Sequence, residues 1–233
     1  MDVFQQGALA LIGLWLAAIC LRFRNSTTVL TGGLVTIGVV ALACVALKIE
    51  TIDRLGLSAP TSWIATLEWA FAGLAVMLAY SPVADAIATR LFAKPPTLGV
   101  FHALQQSPWK LLVGILIAWI LGAFLEELAF RGIVLNALTA SLAPKLGPPA
   151  GAGIAIVVAA LGAGVVHLYQ GARAAVIITQ LSAMFGILFV LSGYDLWATI
   201  VCHGLYDTIA FIRFAAGKSK YSKPAASTAD PSL

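Results

Sequence analysis

Glu126, Glu127 and Arg131 stand in the stretch WILGAFLEELAFRGIVLNAL, with apolar residues on both sides. An ionisable side chain near the centre of a membrane helix costs about 2.5–3.5 kcal/mol on insertion scales, so three together mark a functional site. Along a helix Glu127 and Arg131 are i,i+4 neighbours that can pair on one face. Glu126 is turned by about 100° from Glu127 and has no partner on its own helix. The cluster therefore divides into a charge pair with a structural role and one carboxylate free to take a proton from water, the task of a general base.

Two further titratable groups lie in apolar surroundings. His167 ends the run IAIVVAALGAGVVHLYQG, and His203 and Asp207 are i,i+4 in LWATIVCHGLYDTIAF. Glu, His, His and Asp brought together on three spans have the composition of an acid–base site. A histidine beside Glu126 could share the water and later protonate a leaving amine. His203 is available to donate to the oxyanion of a tetrahedral intermediate. The bland alternative makes the same residues two polar locks that fix helix packing. It explains Glu127–Arg131 easily, but leaves Glu126 as a costly unpaired carboxylate.

Other chemistries lack their motifs. Glu and His also ligate metals, but no HExxH is present, so neither a metal nor another cofactor is expected. There is no GxSG-like serine motif and no GxGD, and Asp195 falls at the start of a span. Cys20, Cys44 and Cys202 show no CxxC spacing and are expected to be buried, packed thiols.

These residues need a scaffold that holds them out of water. The chain of 233 residues is 61% hydrophobic and 10% charged, with a mean hydropathy of +0.96. Soluble domains carry about a quarter charged residues, so the apolar excess implies lipid. Apolar runs at 4–21, 29–47, 63–81, 111–139, 150–169, 174–192 and 196–214 each approach the ~20 residues of a span. The expected fold is an all-α polytopic transmembrane bundle of about seven spans with its catalytic site inside. The 111–139 run reads either as one helix extending beyond the bilayer or as a span with a bent end. The connector 82–110 is expected to include an interfacial helix.

The N-terminus lacks the basic region of a signal peptide and reads as a retained first span. With the C-terminus inside, cytoplasmic stretches collect Arg22, Arg24, Arg90, Lys94, Lys110, Arg173, Arg213, Lys218, Lys220 and Lys223. Lys48, Arg54 and Lys145 lie opposite, which fits the positive-inside rule. The net charge of +4 thus serves orientation, and no basic face suited to nucleic acid exists. Three parts are expected: N-terminal spans and connector over 1–107, a catalytic core over 108–216, and a disordered cytoplasmic tail over 217–233.

At the charged residues the chain resembles the CPBP family (CAAX protease and bacteriocin-processing), also called Abi or type II CAAX prenyl endopeptidases, which are intramembrane glutamic proteases. The EExxxR motif appears as Glu126-Glu127-Leu-Ala-Phe-Arg131. The FxxxH motif is matched at His167, with Ala163 at the aromatic position, and the last motif appears as His203-Gly-Leu-Tyr-Asp207. The resemblance spans roughly 108–214. It implies that Glu126 and His167 activate water, that His203 with Asp207 stabilises the oxyanion, and that Glu127 with Arg131 holds the site's shape. Asp207 in place of Asn cannot donate when ionised and would instead orient His203. The implied substrate is a peptide or protein, prenylated or leader-type, in a prokaryotic inner membrane. Outside enzymes, the residues also suit a non-catalytic immunity or scaffolding protein, or a proton-coupled transporter.

Overall fold

The computed structural model describes residues 3–23 and 26–222. Among them there are seven long helices and no strand. α1 (Val3–Ala18) runs on through a π-wound turn, Ile19–Phe23, and α2 (Thr27–Ala46) starts at Ser26, whose hydroxyl accepts from Val29 N. α3 (Trp63–Leu91), α4 (Pro108–Leu146), α5 (Pro148–Gln170, its last turn 3₁₀), α6 (Ala172–Leu191) and α7 (Leu196–Ala215) follow. Six of the seven are long and apolar enough to cross a membrane. α7 falls short in apolarity because it carries His203, Asp207 and Arg213. The protein is an integral, multi-pass, all-helical membrane protein.

α4 is one continuous helix of 39 residues, a contour of about 58 Å at 1.5 Å per residue and so well beyond the ~30 Å hydrocarbon core. Its start is fixed by Ser107, whose hydroxyl accepts from Lys110 N at 3.2 Å, and by Pro108 at the first helical position, where a missing N–H costs nothing. Its middle is wound with i→i+5 bonds over Ala118–Glu126 and Leu128–Leu135, the kind of distortion that accompanies functional sites.

α3 continues through Pro82 to Leu91, into what the sequence suggests is connector. Beside the proline, Ser81 Oγ bonds Met77 O at 2.8 Å and meets Tyr206 Oη of α7 at 2.7 Å. The remaining connector holds a short 3₁₀ helix, Gly99–Gln105, where an interfacial helix is expected.

α5 packs against α6 and the C-terminal end of α4, while α3 packs on α6 and α7. One apolar core, with Leu128, Phe130, Leu135, Phe189 and Leu196 at its centre, joins α1, α2 and α4–α7. A second, around Met77, Phe185 and Cys202, fills the space between α3, α6 and α7. Of the three thiols only Cys202 is buried, 3.8 Å from Met77 Sδ. Cys20 is exposed and Cys44 half-buried, because α1 and α2 lie at the edge of the bundle with one face turned outward.

After α7 the chain turns at Gly217 (φ +70°) and comes back onto the bundle. Lys220 and Tyr221 both bind the Asp85 carboxylate of α3, which also accepts from Arg173 Nη2 of α6 at 3.1 Å. Gln105 Nε2 donates to Phe214 O and to Ser222 O, each at 3.1 Å. Burial holds the Tyr221 phenol above its ordinary pKa, with Arg173 over its ring opposing, so it stays a donor to Asp85. Residues 217–222 are therefore a packed strap rather than part of a disordered tail. Residues 223–233, and Arg24 and Lys223 of the charge count, lie outside the described residues.

Candidate active site

Glu126, Glu127 and Arg131 of α4 meet His167 from the end of α5 and His203 and Asp207 from α7. All six residues singled out by the sequence form one cluster, and helix packing separates it into two parts.

The sheltered part centres on Glu127 and Arg131, which are 0% and 1% exposed. Glu127 Oε1 forms an ion pair with Arg131 Nη1 at 3.2 Å and accepts from His203 Nδ1 at 2.8 Å. Arg131 Nη2 donates to both the carbonyl and the hydroxyl of Ser182 on α6, each at 2.7 Å. The Phe185 ring stacks on His203 with centroids 4.6 Å apart and lies 5.4 Å from the Arg131 guanidinium carbon. Glu127 thus ties down His203 as well as Arg131. A carboxylate only accepts, so the proton on His203 must be at Nδ1. Nε2 faces Asp207 Oδ2 at 3.5 Å, and donates there, or to a substrate oxygen, when the ring carries its second proton.

The open part holds Glu126 and His167, whose side chains are each 15% exposed. His167 Nδ1 lies 2.9 Å from Ala163 O. A carbonyl also only accepts, so this contact places a proton on Nδ1 and leaves Nε2 of the neutral ring bare. That bare nitrogen faces Glu126 Oε1 at 3.9 Å. The gap is too long for a direct hydrogen bond and suits a bridging water that donates one hydrogen to each side. Such a water keeps a lone pair for attack.

Glu126, His167, His203 and Asp207 line a cavity of about 1000 Å³, whereas Glu127 lies behind its wall. Two glycines let α4 and α7 approach closely enough to form that wall. A Cβ on Gly122 would sit 3.1 Å from Asp207 Oδ2, and one on Gly204 would fall 2.5 Å from Trp119 ring atoms. Trp119 in turn donates to Thr208 Oγ1 at 3.0 Å. Sequence reasoning missed Ser182, Phe185 and Gly122. Each is an ordinary residue for a packed membrane helix, and only a polar position inside IITQLSAMF hints at Ser182. Asp195 is remote from the site in role: it caps α7 through Trp197 N at 2.9 Å and accepts from Thr66 at 2.6 Å.

Residues 108–209 match the family model described as Type II CAAX prenyl endopeptidase Rce1-like. No curated protein and no solved structure matches the chain. The matched segment starts at the first residue of α4 and ends within α7, so it contains every site residue described above. This is a protease family, which supports a peptidase. Residues 108–209, with the whole of the cluster, thus match the type II CAAX prenyl endopeptidase family, the CPBP family that the motifs resemble.

Proposed function

We propose that the protein is an intramembrane glutamic endopeptidase. The observation that carries this reading is the 3.9 Å gap between Glu126 Oε1 and His167 Nε2 on the cavity wall. A water held there gives a proton to Glu126 as its oxygen bonds to the scissile carbonyl carbon. The carbonyl oxygen becomes an oxyanion and accepts from His203 Nε2–H, with Asp207 flanking the ring. When the intermediate collapses, the C–N bond breaks. The proton held by the Glu126–His167 pair passes to the departing amine, leaving one new carboxyl end and one new amino end. Glu127, Arg131 and Ser182 take no part in proton transfer and hold His203 in place.

The substrate is a peptide or protein, prenylated or leader-type, that enters from the bilayer region. Leu121, Phe101, Phe211 and Phe214 on the cavity wall suit an apolar group attached to it. The distribution of Lys and Arg among the loops supports a cytoplasmic C-terminus, and the small size and the family resemblance favour a prokaryotic inner membrane.

The test is cleavage of a panel of prenylated and leader-type peptides by the purified protein. A product is expected with the unaltered chain, and Glu126→Gln should lower its rate by about 10²–10⁴-fold, the usual worth of a general base, without changing thermal unfolding. Uptake coupled to pH with no cleavage of any peptide would overturn the reading in favour of a transporter.

A further inference from the structure

The 3₁₀ turn His167–Gln170 brings a second polar group to the cavity. The Tyr169 ring stacks on His167, with centroids 6.0 Å apart and planes inclined by 29°. Gln170, 7% exposed, donates from Nε2 to the Tyr169 phenol oxygen at 2.7 Å. The Gln170 backbone carbonyl is itself held, accepting from Thr97 N at 2.8 Å. A phenol has one hydrogen to give and lone pairs to receive. Gln170 fills the receiving side, so the Tyr169 hydrogen is left to donate, and no acceptor for it occurs among the described residues. Tyr169 and Gln170 both line the same cavity as Glu126 and Asp207, and Tyr169 lies within electrostatic range of both carboxylates.

We infer that Tyr169 is a further catalytic residue, its hydroxyl donating to the carbonyl oxygen of the bond being cleaved and sharing the oxyanion with His203. The inference rests on the peptidase reading above. Gln170 is a positioning residue in this scheme: its amide fixes the direction of the phenol O–H. The turn also supplies, from the position two residues after His167, the aromatic ring that Ala163 does not provide four residues before it.

The test compares Tyr169→Phe with the unaltered chain on a peptide the latter cleaves. The stack on His167 survives this change, while the hydroxyl is lost both as a donor and as the acceptor of the Gln170 amide. A donor to a developing oxyanion acts mainly in the transition state. kcat should therefore fall by about 10–100-fold, with KM changed by less than about threefold and thermal unfolding shifted only by the lost bond from Gln170. Gln170→Met, which keeps the hydroxyl but frees it to rotate, should lower kcat by a smaller factor in the same direction. Unchanged kcat for Tyr169→Phe, or a raised KM with kcat intact, would overturn the inference while leaving the peptidase reading standing. Should the unaltered chain cleave nothing, that reading fails on its own. Binding of a peptide aldehyde, whose hydrate resembles the intermediate, still reads the donor: about tenfold weaker binding by Tyr169→Phe supports it and equal binding overturns it.

Discussion

Glu126 and Glu127 are neighbours on one helix and inhabit different surroundings. Glu127 is fully buried, and one of its oxygens both pairs with Arg131 and accepts from His203. Glu126 faces a cavity, and its one ion-pair partner among the described residues is an imidazole nitrogen 3.9 Å away. The difference separates two demands that compete in an acid–base site. A reactive carboxylate must exchange protons, so its contacts must be few. A site inside a bilayer must also keep its geometry, which needs many short, charge-assisted bonds. Consecutive residues divide these tasks because one side of α4 faces α6 and α7 while the next position opens to the cavity.

The comparison can be broken at its sheltered side first. Arg131→Ala leaves the Glu127 carboxylate buried without its cation, a change that costs about 3–5 kcal/mol in buried pairs. Unfolding of the purified protein should show that loss, whereas Glu126→Gln should leave stability unchanged. Equal destabilisation by the two would erase the distinction between them. Asp207→Asn tests the link between the halves. It removes the carboxylate facing His203 Nε2, so the peptidase rate should fall by about tenfold, or ~1.4 kcal/mol of transition-state stabilisation, with an altered pH–rate profile. An unchanged rate and profile would detach Asp207 from His203. The smallest effect is expected from Ser182→Ala. It deletes one of the two Ser182 bonds to Arg131 and keeps the carbonyl, for a loss of about 0.5–1 kcal/mol in unfolding.

The spans were legible because a bilayer imposes its period on composition: each expected run falls within a helix or overruns its end by a single residue. What escaped was set by contacts distant in sequence. Pro82 looks like the end of a helix, yet α3, packed along its length on α6 and α7 that lie far off in sequence, runs on to Leu91. Residues 217–222 have the polarity of a solvated tail, and only the fold reveals that Asp85 and Arg173 wait for Lys220 and Tyr221. The site divides along the same line. Glu126, Glu127, Arg131, His167, His203 and Asp207 could be read because charge and imidazole are conspicuous among apolar neighbours. Phe185, Ser182 and Gly122 could not, since an aromatic, a hydroxyl and a glycine are common in any packed membrane helix. Their roles exist only once α4, α6 and α7 are side by side.

The i→i+5 winding of α4 has an evolutionary corollary. A π turn is what remains when a helix with fixed ends accommodates an extra residue. Deleting one position between Leu128 and Phe130 would let the second wound stretch rewind as an ordinary α-helix, with the glutamates before it and Asn136 after it left in register. Arg131, inside that wound segment, would turn around the axis away from Glu127 and Ser182. One indel, with no change to any of the six named side chains, is then enough to convert such a protein between an assembled and a dismantled site while the span itself persists.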